Sequence, residues 1–216
     1  MHNSVKNLIY IEDLIKSKVN HDKIPKIIAV SKTFPIENIL PLIDYGHLHF
    51  GENKVQETLD KWTDIKNQNK SIKLHLIGRL QSNKVKIALK IFDYIHSLDS
   101  EKLANKIADE QKKQEKKLKI FIQVNIGNED QKSGIKKENL INFYNFCKNL
   151  HLDIIGTMCI PPNDGNTEKY FSEMNDINKE LNFKELSMGM SGDYLEAARY
   201  NATYIRVGSK IFGSRA

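Results

Sequence analysis

Lys32 stands two residues beyond the apolar run Ile27-Ile28-Ala29-Val30. A lysine held where a buried strand ends is partly desolvated, which lowers its pKa and favours the neutral, nucleophilic amine. Such an amine can form an imine with a carbonyl compound. Alone this signal is weak, because the chain is rich in lysine and most lysines are solvated surface charges. A second group strengthens it. Ser187, Gly189 and Ser191 are small residues with free backbone N–H groups, just before a helix expected near Gly192-Asp193, and Gly208-Ser209 offers another such turn. N–H groups at a helix start point at an anion and suit a phosphate; a plain N-cap by Ser191 or Asp193 is compatible with the same residues. Arg206 shares a strand face with Tyr204 and Gly208 by alternation. If that face is interior, its guanidinium needs an acceptor, which a neutral pyridine nitrogen, or equally an internal Asp or Glu, would supply.

Other polar groups carry less. His47 and His49 would share a strand face and His75 follows later, but no third ligand has recognisable spacing, so hydrogen bonding ranks above metal binding. Glu52 and Asp99 are carboxylates at strand ends with no separation fixed by sequence, and acid–base pairing is not supported.

The elements that must position these residues alternate in type. Eight β-rich runs, at 26–30, 47–50, 73–77, 94–98, 119–124, 153–159, 185–188 and 204–207, are separated by segments of helical period. Leu103 and Ile107 follow a Ser100 N-cap; Leu140, Phe143, Cys147 and Leu150 form one stripe, and Phe171, Met174, Ile177 and Leu181 another. Pro41 makes any helix after the first strand short or kinked, and Gly46 stands where its C-cap belongs. Strands alternating with helices pair in parallel. The count of eight, and the lack of a Gly-x-Gly-x-x-Gly turn after the first strand, favour a closed (β/α)8 TIM barrel over an open doubly wound sheet. Barrels of this type carry their functional groups where strands end and often bind phosphate after strands seven and eight. Few residues follow the eighth strand, whereas Val5, Leu8, Ile11 and Ile15 give the N-terminal segment an amphipathic period. That N-terminal helix is expected to pack on the barrel flank where a terminal eighth helix would lie. No linker interrupts residues 1–216, so one domain is expected.

Composition excludes several classes. The net charge of +6 concentrates at Lys112–Lys119, a run without Arg or aromatic residues that reads as a solvated helix end, so no nucleic-acid partner is expected. Two cysteines, Cys147 and Cys159, without paired spacing argue against disulfides and structural zinc. No apolar run approaches a membrane span and no leader pattern opens the chain, so a cytoplasmic protein is expected.

Seven segments, in order, carry a resemblance. They are Ala29-Val30-Ser31-Lys32-Thr33, the stretch Phe50-Gly51-Glu52-Asn53-Lys54-Val55-Gln56-Glu57, and His75 through Lys84. After these come Gln123-Val124-Asn125, Lys132-Ser133-Gly134, Leu186 through Ser191, and Arg206 through Gly213. The chain resembles the PLP homeostasis protein family, also called the YggS/PROSC family, from about residue 25 to 213. The resemblance implies a barrel like the N-terminal domain of alanine racemase, with Lys32 carrying pyridoxal 5′-phosphate (PLP) as a Schiff base. It implies that Ser187, Gly189, Gly208 and Ser209 surround the phosphate, that Arg206 faces the pyridine nitrogen, and that Asn53 lies near the ring. It also implies a carrier or regulator of vitamin B6 and amino-acid pools, acting as a monomer, with PLP-dependent apo-enzymes as partners. A weak racemase-like enzyme is the alternative. An arginine beside the pyridine nitrogen keeps that nitrogen unprotonated and weakens the ring as an electron sink, which favours the carrier. Alanine racemase adds a C-terminal domain with a second base, and this sequence stops at Ala216 without one, so little turnover is expected. Cys159 departs from the resemblance, standing where many members have a smaller residue, a difference that bears on packing behind strand six and not on cofactor binding.

Overall fold

The computed structural model describes residues 1–19 and 24–213. Eight strands pair in chain order into a closed barrel: β1 (Lys26–Val30), β2 (His49–Glu52), β3 (Lys73–Leu76), β4 (Tyr94–Leu98), β5 (Lys119–Val124), β6 (Asp153–Cys159), β7 (Glu185–Ser187) and β8 (Tyr204–Val207). Every pairing is parallel, and β1 closes against β8 with Ile28 opposite Arg206. The fold is the α/β TIM barrel that the alternation implies.

The helices α2 (Ile36–Asp44), α3 (Val55–Gln68), α4 (Val85–Ile91), α5 (Glu101–Gln114), α6 (Leu140–Asn149), α7 (Thr167–Glu180) and α8 (Tyr194–Arg199) connect successive strands. Before β1 comes α1 (Asn3–Lys18), and after β8 the four-residue α9 (Ser209–Phe212). Val5, Leu8, Ile11 and Ile15 of α1 are buried, and the helix packs against α9, α2 and α8, with Asn7 Nδ2 donating to the Ile211 carbonyl at 3.0 Å. The N-terminal helix thus fills the flank beside β8. Each fully buried aliphatic side chain there contributes about 1.5–3 kcal/mol. The tail residues 214–216 lie outside the described residues.

Five strands keep the bounds expected from the sequence, and three move. β2 starts at His49, not His47, because the cap of α2 takes Gly46 and His47. Gly46, at φ 98, donates to the Ile43 carbonyl and His47 to the Leu42 carbonyl, both at 2.9 Å, the paired bonds of a Schellman cap. β3 and β7 stop one residue early, at Leu76 and Ser187. Pro41 sits inside α2, which is nine residues long.

Two separate cores result. A large apolar layer lies between strands and helices, and a small cluster of Ile28, Tyr94, Phe121, Met158 and Tyr204 lies inside the barrel. His75 and His96 share that interior and are fully buried. Among the described residues, no helix is long and apolar enough to cross a membrane.

Candidate functional site

A pocket of about 680 Å³ opens at the C-terminal end of the barrel, a size typical of small-molecule sites. Lys32 and Val30 line it from β1, Asn53 from the end of β2, and Ile77, Gly78 and Arg79 from the end of β3. Across from them stand Ser191, Gly192, Arg206, Gly208 and Ser209. Gln123, Ser133, Ile160 and Met190 complete the lining, the last two as an apolar rim 39 % and 38 % exposed.

The wall carrying Lys32 is built on a buried ion pair. Lys61, from α3, lies 2.8 Å from Glu52 Oε1, and its ammonium also donates to the carbonyls of Ser31 (2.9 Å) and Phe34 (3.1 Å). Glu52 Oε1 accepts further bonds from Ser31 Oγ at 2.8 Å and Trp62 Nε1 at 3.0 Å. Thr33 takes a left-handed φ of 67°, and its N–H donates to Glu57 Oε1 at 3.0 Å. Carbonyls on both sides of Lys32 are therefore tied to one ammonium, which fixes the turn presenting the amine. Gly78 does the same for Asn53: a Cβ there would sit 2.6 Å from the Asn53 carbonyl oxygen and 2.9 Å from its Cα.

The opposite wall is made of turns. β7 ends at Ser187, Gly189 turns with φ 87, and Asp193 Oδ1 accepts from the Met190 N–H at 2.6 Å ahead of α8. Gly208 donates its N–H to Ser191 Oγ at 3.2 Å, joining the two turns. Among the hydrogen bonds of the described residues, none uses the N–H of Ser191, Gly192 or Ser209. Such groups at helix starts suit an anion.

Arg206 forms the floor and is buried. It donates through Nη1 to Ser187 Oγ and through Nη2 to the Cys159 carbonyl, both at 2.8 Å. Among the described residues no carboxylate lies in ion-pair range of it. Burial lowers its pKa, with the Asp193 charge acting in the opposite sense. The Cys159 thiol is pushed up to about 12 by burial and stays neutral beside the guanidinium.

Five of the seven residues expected from the sequence, Lys32, Asn53, Arg206, Gly208 and Ser209, thus line one pocket. Ser187 and Gly189 lie outside that lining. Ser187 is fully buried below the floor, bonded to Arg206 and to His96 Nδ1. Gly189 serves packing, since a Cβ there would come 2.4 Å from the Ala197 Cβ of α8. Ser191 and Gly192 take their place at the pocket. Glu52 and Asp99 do not pair: Glu52 is spent on Lys61, while burial raises the Asp99 pKa against the pull of Arg79. His49 and His75 bond to each other at 2.9 Å, and among the described residues no cluster suits a metal ion.

Comparison with known proteins agrees with this geometry. Residues 12–216 match the family model described as alanine racemase, N-terminal domain. The pyridoxal phosphate homeostasis protein of Pasteurella multocida is 36 % identical, over 97 % of this chain and 96 % of that one; its Escherichia coli counterpart is 31 % identical, over 100 % and 98 %. The chain belongs to the pyridoxal phosphate homeostasis protein family. Among solved structures, PipY of Synechococcus elongatus with PLP bound superposes with a TM-score of 0.85 at 31 % identity, covering 97 % of this chain and all of PipY. Alanine racemase of Acinetobacter baumannii, at 16 % identity and a TM-score of 0.74, covers 97 % of this chain and 62 % of its own. That likeness is one of fold.

The residues present fit the cofactor that these family names imply. Among the described residues, a buried guanidinium with only neutral hydrogen-bond acceptors forms the pocket floor, N–H groups without protein acceptors stand at one side, and a lysine at the other.

Proposed function

We propose that this protein holds pyridoxal 5′-phosphate as a Schiff base on Lys32 and serves as a carrier or regulator of the cofactor. The carrying observation is that Lys32 and the Gly208-Ser209 turn face one pocket across the Arg206 floor. The amine condenses with the aldehyde and releases water. When bound, the cofactor supplies an aldehyde for that link and an electron-withdrawing ring. The chain's own residues do the rest. The N–H groups of Ser191, Gly192 and Ser209 would donate to the phosphate oxygens, and the remaining guanidinium N–H groups of Arg206 to the ring nitrogen. Asn53, pinned by Gly78, borders the ring.

Arg206 cannot readily surrender a proton and so disfavours a protonated ring nitrogen, which supports carriage over racemisation. The reading includes action as a monomer in the cytoplasm, with one barrel domain presenting Lys32, Arg206 and the N–H turns to a single pocket. Ile160 and Met190 give the mouth an exposed apolar rim against which an apo-enzyme receiving the cofactor can dock. The test is the visible spectrum of the protein incubated with PLP. An imine band is expected for the native chain and its loss in Lys32→Ala; an equally coloured variant sinks the assignment.

A further inference from the structure

Barrels of this type usually fill their interior with branched aliphatic side chains. Here a line of imidazoles takes that place. His49 Nδ1 lies 2.9 Å from His75 Nε2, His75 Nδ1 2.9 Å from His96 Nε2, and His96 Nδ1 2.9 Å from Ser187 Oγ. Ser187 Oγ in turn accepts from Arg206 Nη1 at 2.8 Å. Five strands, β2, β3, β4, β7 and β8, each contribute one side chain to an unbroken row. It runs from half-buried His49 at the start of β2 to the floor of the pocket.

We infer that Arg206 sets the direction of every hydrogen bond in this row, and that the row in return positions Arg206. A guanidinium donates and never accepts, so Ser187 Oγ must be the acceptor at that end. Among the described residues the only other partner of that hydroxyl is His96 Nδ1. The serine proton must go there, since otherwise a fully buried O–H is left without an acceptor. His96 then carries its proton on Nε2 and donates to His75 Nδ1. His75 likewise carries it on Nε2 and donates to His49 Nδ1, and His49 keeps an Nε2–H at the open end. Each neutral imidazole has one donor and one acceptor, so the polarity passes along without loss.

Two further observations fit. Burial lowers the pKa of all three histidines, His49 to about 4, so the rings are neutral as the row requires. A second proton on any ring would set two donors face to face. Tyr94 stacks on His75 with centroids 4.2 Å apart and Phe121 on His96 at 4.3 Å, which holds both ring planes. Ser187, His96, His75 and His49 are positioning residues that orient a buried cation which, among the described residues, has no carboxylate in ion-pair range. Contact of Arg206 with a ring nitrogen rests on the function proposed above; the polarity of the row does not.

The experiment is therefore in two parts. Long-range ¹H–¹⁵N spectra of the full chain without cofactor at neutral pH should show His49, His75 and His96 as Nε2–H tautomers. Ser187→Ala should disturb all three rings and Ser187→Thr should restore them. His49→Leu, which removes the final acceptor at the open end, should also shift the nitrogens of His96 and serves if Ser187→Ala does not fold. An Nδ1–H tautomer of His96 in the native chain, or a response of His96 alone to Ser187→Ala, overturns the row. The second part compares binding of PLP with an analogue carrying carbon in place of the ring nitrogen. About tenfold preference for PLP is expected in the native chain, equivalent to about 1.4 kcal/mol, and none in Ser187→Ala. Equal binding by the native chain overturns the ring contact while the spectra decide the row.

Discussion

The two walls of the pocket are held by opposite means. The wall of β1 and β2 presents Lys32 from a turn tied to the buried pair of Lys61 and Glu52. The wall of β7 and β8 presents Arg206 and two N–H turns, and it rests on neutral groups, Ser187, the Cys159 carbonyl and the histidine row. The contrast follows from the ligand each must meet. An amine that has to lose its proton gains from a rigid turn held by charges that are already paired with each other. Groups that receive a phosphate and a ring nitrogen keep more of their positive character when, among the described residues, no carboxylate stands in ion-pair range of the guanidinium, with Asp193 acting on it only from a distance.

Acid should separate the walls by the largest effect. His47 and His49 have folded pKa values lowered to about 4, and those of His75 and His96 are lowered well below 6.5, chiefly by burial. Above pH 6.5 these rings are neutral folded or unfolded, and they add no pH dependence. As pH falls from 6.5 toward 4, the unfolded chain binds protons that the folded chain refuses. Stability should then drop by about 1.4 kcal/mol per pH unit for each ring. Urea titrations at pH 7, 6 and 5 measure the slope, and a flat profile would refute neutral burial of the row.

Next in size is the ionic wall. Lys61→Met leaves Glu52 buried without its partner and should cost about 3–5 kcal/mol by urea unfolding. The double variant Lys61→Met, Glu52→Gln should recover a large part of it. If the single change cost no more than a surface substitution, the clamp would not be what fixes the Lys32 turn.

Gly78→Ala probes the join between that wall and Asn53. The added methyl collides with Asn53 backbone, so a loss of about 1–3 kcal/mol is expected together with weaker PLP binding. Unchanged binding would remove Asn53 from the ring's surroundings. The smallest effect belongs to the turns. Ser191→Ala deletes the hydroxyl that accepts from Gly208, and should weaken PLP about tenfold while leaving stability within about 0.5 kcal/mol. Unaltered affinity in titrations would place the phosphate elsewhere.

The same contrast explains what could be read from the sequence. Eight alternating runs show the barrel because period two and period 3.6 are local patterns. Lys32 and Arg206 are legible because one ends a strand and the other alternates within one. Lys61 and Trp62 are not, because only the packing of α3 brings them to Glu52. That Ser187 is buried against Arg206 and stands outside the pocket lining was not legible, because strand seven stops a residue earlier than its apolar pattern. His96 carried no signal, since alternation shows which face a residue occupies but not which interior neighbour it meets. Ser191 was legible as part of a helix start suited to an anion, and it lines the pocket with Gly192.

The central claim, one amine facing one anion site, is tested most directly by reducing the PLP-loaded protein with borohydride and mapping the labelled peptide. The account predicts a single modified residue, Lys32, with the label lost when excess inorganic phosphate competes during loading. A label spread over other lysines, or one on Lys32 indifferent to phosphate, would contradict it.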